Sequence, residues 1–144
     1  MIVYAESSAV VAWLLDEPRA ADVGASFDVA ERVVTSTLTR AECARALVRG
    51  VSLGRITRRQ AGDLLEKLAD TDATWNRLDM SDRVLSGASV PFPVEPVRTL
   101  DAIHLASASI AQVEMGEVGV LSLDERVRAN AAALGMTVLP PGSI

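Results

Sequence analysis

The sequence predicts an α/β protein with three layers, α/β/α, in which helices cover both faces of a central, mainly parallel sheet of about five strands. Two observations predict this class. Short apolar or β-branched segments alternate with longer segments of helical pattern along the chain, and strands separated by helices are typical of parallel sheets. In addition, 49% of the 144 residues are hydrophobic and no repeat or linker divides them. We therefore expect a single domain over residues 1–144 with a sizeable core.

The first half of the chain is predicted to alternate two strands with four helices. An apolar run predicts a buried strand at residues 2–4, and β-branched residues predict another at 33–36. Pro18 is expected to open the second helix, because proline is favoured in the first helical turn. Thr39 and Glu42 have the spacing of a capping box, which predicts the start of the third helix. The four predicted helices span residues 9–15, 18–30, 39–53 and 57–69.

The second half continues this alternation. Thr99 is a plausible N-cap for a long helix that follows a proline-rich segment. Ser122 and Glu125 have the spacing of a second capping box, and Gly135 closes the helix that they start. The predicted strands span residues 74–78, 118–121 and 136–139, and the predicted helices span residues 81–88, 100–113 and 122–134.

The charge of the chain is unevenly distributed. The net charge is −5, yet residues 40–59 carry six arginines and one glutamate, a local sum of +5. Such asymmetry is compatible with a basic face for phosphates on an otherwise acidic protein. It is equally compatible with a solvated pair of helices whose arginines bind carboxylates elsewhere, and the sequence leaves both interpretations open.

A single cysteine and the lack of long apolar segments narrow the class of protein. Cys43 on its own excludes a disulfide framework and a zinc site built from cysteines. Its helical surroundings predict a buried, unreactive thiol. No segment has the pattern of a signal peptide or the length of a membrane-spanning helix. We therefore expect a soluble, cytoplasmic protein.

Four acidic residues stand at equivalent points of the predicted fold. Glu6 follows the first strand, Glu42 lies in the helix after the second, Asp101 opens its helix, and Asp124 follows the fourth strand. In a parallel sheet such residues gather at the carboxyl edge, where ligands bind. Taken one at a time, Glu42, Asp101 and Asp124 are each explained by helix capping or by the helix dipole. Glu6 has no such explanation and is expected to have few partners. If all four converge, a cation must offset their repulsion, and carboxylates without sulfur ligands suit Mg²⁺ or Mn²⁺.

Four segments carry a resemblance to a known family. They read IVYAESSAVVAWLLDEP, TSTLTRAECARALVRG, RTLDAIHLASA and VLSLDERVRANAAALGMTVLP, and together they span nearly the whole chain. The third, followed by a strand and an S/T-x-D pattern, is the most specific. The chain resembles the PIN-domain ribonucleases, and most closely the VapC toxins of bacterial toxin–antitoxin pairs. The resemblance implies a parallel sheet sandwiched by helices.

The resemblance also implies an activity and a set of site residues. The activity is metal-dependent hydrolysis of RNA phosphodiester bonds, with one or two Mg²⁺ or Mn²⁺ ions. Carried over position by position, the acids of the site are Glu6, Glu42, Asp101 and Asp124, with Glu6 and Asp101 as metal ligands and Ser7, Ser8 and Ser122 as supporting hydroxyls. The family usually has aspartate where this chain has Glu6, and catalytic geometry is sensitive to displacements of about 1 Å. The implied partners are RNA, a cognate antitoxin and a second copy of the chain.

Four further residues stand out beside the acids. Arg45 and Arg49 share a helical face with Glu42, so we expect them to bind RNA phosphates or the acidic residues of an antitoxin. His104, the only histidine, is expected to be buried and hydrogen-bonded rather than to act as a ligand or base. Trp13 is expected in the core, with an apolar groove for a partner helix as the alternative.

Three other functions remain open at this point. The chain could be a housekeeping PIN nuclease of RNA processing, with the same chemistry and no antitoxin. It could also be a PIN module that binds RNA or a partner with little catalysis, and Glu6 would be the mark of such a module. A small flavodoxin-like binding domain is disfavoured, because no glycine-rich phosphate loop follows the first strand.

Overall fold

The computed structural model describes residues 1–143, in which five strands form one sheet in the order β3-β2-β1-β4-β5. Every pairing between neighbouring strands is parallel, so the predicted sheet is confirmed and is parallel throughout. The strands are β1 (Ile2–Ala5), β2 (Arg32–Ser36), β3 (Asn76–Leu78), β4 (Val118–Leu121) and β5 (Thr137–Leu139). The third strand is shorter than predicted, since residues 74 and 75 remain in a turn.

Helices cover both faces of the sheet, which confirms the predicted α/β/α layers. Their bounds are α1 (Ser7–Leu14), α2 (Ala20–Asp28), α3 (Thr37–Ser52), α4 (Arg58–Asp72), α5 (Asp82–Ala88), α6 (Thr99–Met115) and α7 (Glu125–Ala133). Helices α1 to α4 pack on one face and α6 and α7 on the other, with α5 against α6. Within residues 1–143 no helix combines the length and the hydrophobicity that crossing a membrane requires.

The central strand β1 shows how the sequence produces these layers. Val3 and Ala5 pack against the face that carries α1 to α4. Tyr4, which points the other way, packs against α6 and α7. All three are buried completely or nearly so. Because successive side chains of a strand alternate between faces, an apolar run is the expected sequence for a strand buried on both sides.

Two predicted capping boxes are wrong. Helix α3 begins at Thr37, where the Ser36 hydroxyl accepts a hydrogen bond from the backbone N–H of Leu38. Helix α7 is capped by Asp124, whose Oδ1 accepts from two backbone N–H groups of the first turn. Each helix begins so close to its strand that a residue at the junction caps it. Glu42 is therefore free of the cap role that the sequence suggested.

Three other helix starts also differ from prediction. Helix α1 begins two residues early, at Ser7, because the Glu6 carboxylate caps it by accepting from the Ser8 backbone N–H. Helix α2 begins at Ala20 rather than at Pro18, because Arg19 has a left-handed backbone with φ of 71°. Thr99 lies inside α6, and Arg98 occupies its N-cap position without a side-chain capping bond.

Candidate active site

The candidate site lies at the carboxyl edge of the sheet, beside the central strand. Chain order reverses at β1, which has β2 on one side and β4 on the other, and such a switch point opens a crevice for ligands. A cavity of about 360 Å³ lies there. It is lined by all four predicted acids together with neighbouring residues, namely Glu6, Glu42, Asp101, Asp124, Ser7, Ser8, Val11, Glu17 and Arg98. The fold thus brings together residues that are far apart in the sequence.

Glu6 has many hydrogen-bond partners, contrary to the expectation from the sequence. It is only 3% exposed. Its Oε1 accepts from the Ser7 hydroxyl at 2.7 Å and from the Ser8 backbone N–H at 3.0 Å. Its Oε2 accepts from the hydroxyls of Ser8 and Ser122, the latter at 2.7 Å. The carboxylate folds back over its own helix, and hydrogen bonds to a charged acceptor offset the cost of burying it.

The three predicted supporting hydroxyls are therefore all at the site. Ser122, fully buried at the end of β4, also accepts from the backbone N–H of Asp124 at 3.1 Å. Ser8 accepts from the backbone N–H of Leu123 at 2.9 Å. The two serines thus connect the loop after β4 to Glu6 at the end of β1.

Asp101 and Asp124 share one arginine. Arg98 donates to Asp101 through Nε at 2.7 Å and through Nη2 at 3.2 Å, and Nη2 also donates to Asp124 at 2.8 Å. The side chain of Asp101 is 9% exposed and that of Asp124 is 25% exposed. The hydrogen bonds and negative charge of Asp101, and then the charge of Asp124, raise the pKa of Arg98 above its ordinary value. The guanidinium is the counter-ion of both carboxylates.

Glu42 begins a separate series of hydrogen bonds that leads through His104 to Tyr4 in the core. Its Oε1 lies 2.6 Å from Nε2 of His104, and Nδ1 of His104 lies 2.9 Å from the Tyr4 hydroxyl. His104 and Tyr4 are buried, as expected for the histidine. Burial is the main reason why the pKa of Tyr4 is raised above its ordinary value, so its hydroxyl stays protonated. These two residues fix the direction of the Glu42 carboxylate.

Arg45 and Arg49 border the site without entering it. Both are exposed, and with Glu42 they line a groove of about 720 Å³ along α3. Much of the remaining lining is apolar, including Leu38, Val48, Leu53 and Leu100. Within residues 1–143 none of the six arginines of residues 40–59 forms an ion pair. The alternative interpretation, a solvated pair of helices whose arginines bind carboxylates elsewhere, therefore lacks its ion pairs within these residues.

The oxygen ligands that the cavity offers are of the kind that a hard divalent cation prefers. The four predicted acids and Glu17 line one cavity, and no cysteine or histidine of residues 1–143 lines it. In this arrangement, however, residues 1–143 contain no group of three acidic, histidine or cysteine side chains close enough to hold a metal ion. Hydroxyls hold Glu6, and Arg98 holds Asp101 and Asp124. The oxygens fit such an ion, but a change of these contacts must accompany its binding.

Comparison with known proteins decides the family. A sequence model of the PIN domain matches residues 3–134. The chain belongs to the PIN-domain family. This confirms the resemblance drawn from the sequence. The matched segment contains all four acids and the three serines of the cavity.

Three proteins named as VapC ribonucleases are similar to this chain over at least 85% of their own length. Ribonuclease VapC46 of Mycobacterium tuberculosis is 36% identical over 140 residues, which cover 96% of this chain and 97% of that protein. Ribonuclease VapC35 of the same species is 31% identical over 139 residues, covering 95% and 85%. Ribonuclease VapC47 is 29% identical over 147 residues, covering 99% of each chain.

Sequence reasoning missed Arg98 and Glu17 in the lining of the cavity, and Tyr4 in the hydrogen bonds behind Glu42. Arg98 opens the RTLDAIHLASA segment, and its spacing of three residues from Asp101 is the signal that would have found it. The sequence predicts Tyr4 only as part of a buried strand. No local pattern pairs Tyr4 with His104, because 100 residues separate them.

Proposed function

We propose that this protein is a metal-dependent endoribonuclease and the toxin of a toxin–antitoxin pair. The observation that carries the proposal is the convergence of Glu6, Glu42, Asp101 and Asp124 on one cavity at the switch point of the sheet. Its relatives in the PIN-domain family include proteins named as VapC ribonucleases. We also propose that the protein acts in the cytoplasm, where its proposed substrate, RNA, is present.

Asp101 and Glu6 are the proposed ligands of a Mg²⁺ or Mn²⁺ ion, with Glu42 and Asp124 completing the site or holding the water of the ion. When bound, such an ion would polarise the phosphodiester and help to generate the water nucleophile. The chain itself supplies orientation. Ser8 and Ser122 hold Glu6 at the end of β1, and His104 directs Glu42. Arg45 and Arg49 are proposed to bind RNA phosphates beside the site.

The test is RNA cleavage by the purified protein in the presence of Mg²⁺, Mn²⁺ or a chelator. We expect cleavage with either ion and none with the chelator. Asp101→Asn should abolish cleavage because it removes a proposed ligand, while its melting temperature should change little. Asp63→Asn, which removes an exposed carboxylate on α4, is the matched control and should cleave like the wild type. Undiminished cleavage by Asp101→Asn would remove Asp101 from the site, and no cleavage with either ion would contradict the function.

The groove along α3 is the proposed seat of the antitoxin. Val48, Leu53 and Leu100 are exposed on its wall, each 46–53% accessible, and Arg45 and Arg49 lie among them. Such a surface fits an amphipathic helix with acidic residues. A short gene directly upstream whose product copurifies with this chain and silences cleavage would support the proposal. Its absence would favour the housekeeping nuclease.

We further propose that the protein is a homodimer, as the resemblance implies. Light scattering during gel filtration should give twice the 15.2 kDa mass of the chain. A monomer at micromolar concentration would contradict this.

One observation favours a second function. Both oxygens of Glu6 are engaged by hydroxyl and backbone donors of the protein itself. This arrangement is compatible with a PIN module that binds RNA or a partner with little catalysis. Tight RNA binding without cleavage at saturating Mn²⁺ would distinguish it from the nuclease.

A further inference from the structure

The Arg98 guanidinium bridges the two aspartates of the cavity. Its three hydrogen bonds all go to Asp101 and Asp124, over 2.7–3.2 Å. Among residues 1–143 it is the only arginine or lysine that lines the cavity. A single positive charge thus lies between the two carboxylates that a divalent cation would need.

Arg98 is held there by these carboxylates and not by the fold. Its side chain is 62% exposed, and at the N-cap of α6 it makes no capping bond. An exposed arginine on a long, flexible stem can leave such a pair at low cost. Helix α6 does not require the guanidinium in this position.

If the Arg98 guanidinium moved away, carboxylate oxygens of Asp101 and Asp124 would lose their donor while the helices stayed intact. Both oxygens of Asp101 accept only from Arg98 among residues 1–143. Asp124 caps α7 through Oδ1, whereas Arg98 uses Oδ2. Three carboxylate oxygens could therefore pass to another cation while the α7 cap stays in place.

We propose that Arg98 is a built-in counter-ion that competes with the divalent cation for Asp101 and Asp124 and sets the metal affinity of the site. The inference rests on the proposed metal-dependent function. In the metal-free protein the guanidinium relieves the repulsion between two adjacent carboxylates, one of them buried. A divalent cation has to displace it, and the free energy of the lost ion pairs lowers the apparent affinity.

The experiment is calorimetric titration of Mn²⁺ into four proteins: the wild type, Arg98→Gln, Arg126→Gln and Arg83→Gln. Arg126 is exposed two residues after Asp124 and controls for the loss of nearby positive charge. Arg83 pairs with Glu114 at 2.5 Å and controls for the loss of an arginine–carboxylate pair outside the cavity. We expect Arg98→Gln to bind Mn²⁺ about tenfold more tightly than the wild type, and both controls to stay within about twofold of it.

Thermal unfolding supplies a second readout. Without metal, Arg98→Gln should melt below the wild type, because the two aspartates lose their counter-ion. With saturating Mn²⁺ the difference should shrink or reverse. Arg98→Lys serves if Arg98→Gln fails to fold, because lysine keeps the charge but cannot bridge both carboxylates with a planar fork. It should bind Mn²⁺ more tightly than the wild type.

Three other outcomes would overturn the inference, and each would do so for a different reason. Equal or weaker Mn²⁺ binding by Arg98→Gln would show that Arg98 does not compete, although the metal site would stand. An equal gain in Mn²⁺ affinity for Arg126→Gln would show that the effect comes from the net charge near the cavity and not from the contacts of Arg98. No Mn²⁺ binding by any of the four proteins would overturn both this inference and the metal-dependent function.

Discussion

At the scale of single residues, the extra methylene of Glu6 has a structural consequence. The longer side chain allows the carboxylate to cap its own helix at Ser8 and to reach the Ser122 hydroxyl directly after the neighbouring strand β4. Hydrogen bonds to a charged group contribute about 1.5–3 kcal/mol each. The same bonds hold the oxygens away from other ligands. Glu6 therefore links the stability of the β1–β4 edge to the chemistry of the site.

Replacing Glu6 with aspartate tests this link. Aspartate cannot reach all of these donors, so we expect Glu6→Asp to lose about 1.5–3 kcal/mol of stability in urea unfolding, the contribution of one such bond. We also expect the wild type to be slow and to favour Mn²⁺ over Mg²⁺, because Mg²⁺ demands near-ideal octahedral geometry. Glu6→Asp should speed the Mg²⁺ reaction. Titration of both ions against both proteins on one RNA measures the preference.

The opposite pattern would contradict this geometric argument. If the wild type is already as fast in Mg²⁺ as in Mn²⁺, and Glu6→Asp slows the reaction, the site is built around glutamate. Ser122→Ala is a useful companion variant, because it removes one donor to Glu6 and leaves the carboxylate in place.

Cys43 should be chemically silent in the folded protein. Burial, followed by the nearby charges of Glu42 and Glu6, raises the pKa of the Cys43 thiol to about 12. At about pH 8 only about one thiol in ten thousand would be ionised, and the thiolate is the reactive form. We expect negligible labelling by Ellman's reagent in buffer and complete labelling in urea. Rapid labelling of the native protein would show that α3 opens locally or that the thiol is accessible.

At the scale of elements, helices α3 and α4 divide the basic charge between two surfaces. Arg45 and Arg49 line the groove that shares Glu42 with the acidic cavity. Arg58 and Arg59 begin α4 and line neither of these two cavities. All four are exposed, so they contribute the same charge to the field of the molecule. They differ in their position relative to the site.

The pair Arg45 and Arg49 and the pair Arg58 and Arg59 allow a matched test of the proposed RNA interface. We expect the Arg45→Ala, Arg49→Ala double variant to weaken RNA binding and to flatten its salt dependence by about one unit of slope per lost phosphate contact. The Arg58→Ala, Arg59→Ala variant, with the same loss of charge, should change both much less. Fluorescence anisotropy with a labelled RNA over a range of salt concentrations measures this. Equal effects of the two pairs would indicate attraction by net charge rather than contact in the groove.

At the scale of the whole molecule, the two ends of the chain are tied into one sheet. Strand β1 is central and β5 is at the edge. Arg19 donates to the backbone carbonyls of Pro141 and Ser143. Arg128 donates to those of Leu139 and Pro140. The segment after β5 is thereby held against both helical layers.

We expect residues 1–144 to unfold as one domain. Within residues 1–143 every strand belongs to a single sheet, both helical layers pack on that sheet, and α5 packs on α6. Circular dichroism and tryptophan fluorescence should give coincident urea transitions. The two tryptophans lie on the α1-to-α4 side of the sheet, so an early fluorescence transition would reveal a separate unit.

The sequence by itself determined the layers, the alternation of strands and helices, and four acids that meet at one cavity. The apolar run at residues 2–4 predicts a strand buried on both faces, and acids that follow such strands are expected at the carboxyl edge of a parallel sheet. Local pattern was less reliable for caps. Where a helix begins directly at the end of a strand, Ser36 or Asp124 competes for the cap with the residue that the pattern favours.

Only the tertiary structure decided which partner each acid has. Glu6 binds the hydroxyl of Ser122, and Glu42 lies against His104, across separations of 116 and 62 residues. Arg98 reaches Asp124 over 26 residues. Hydrogen bonds and ion pairs act over about 3 Å, a distance that side-chain packing sets and that sequence spacing does not encode once two elements separate the residues. The sequence therefore predicts which groups meet at the site, and the packed fold determines how each of them is held.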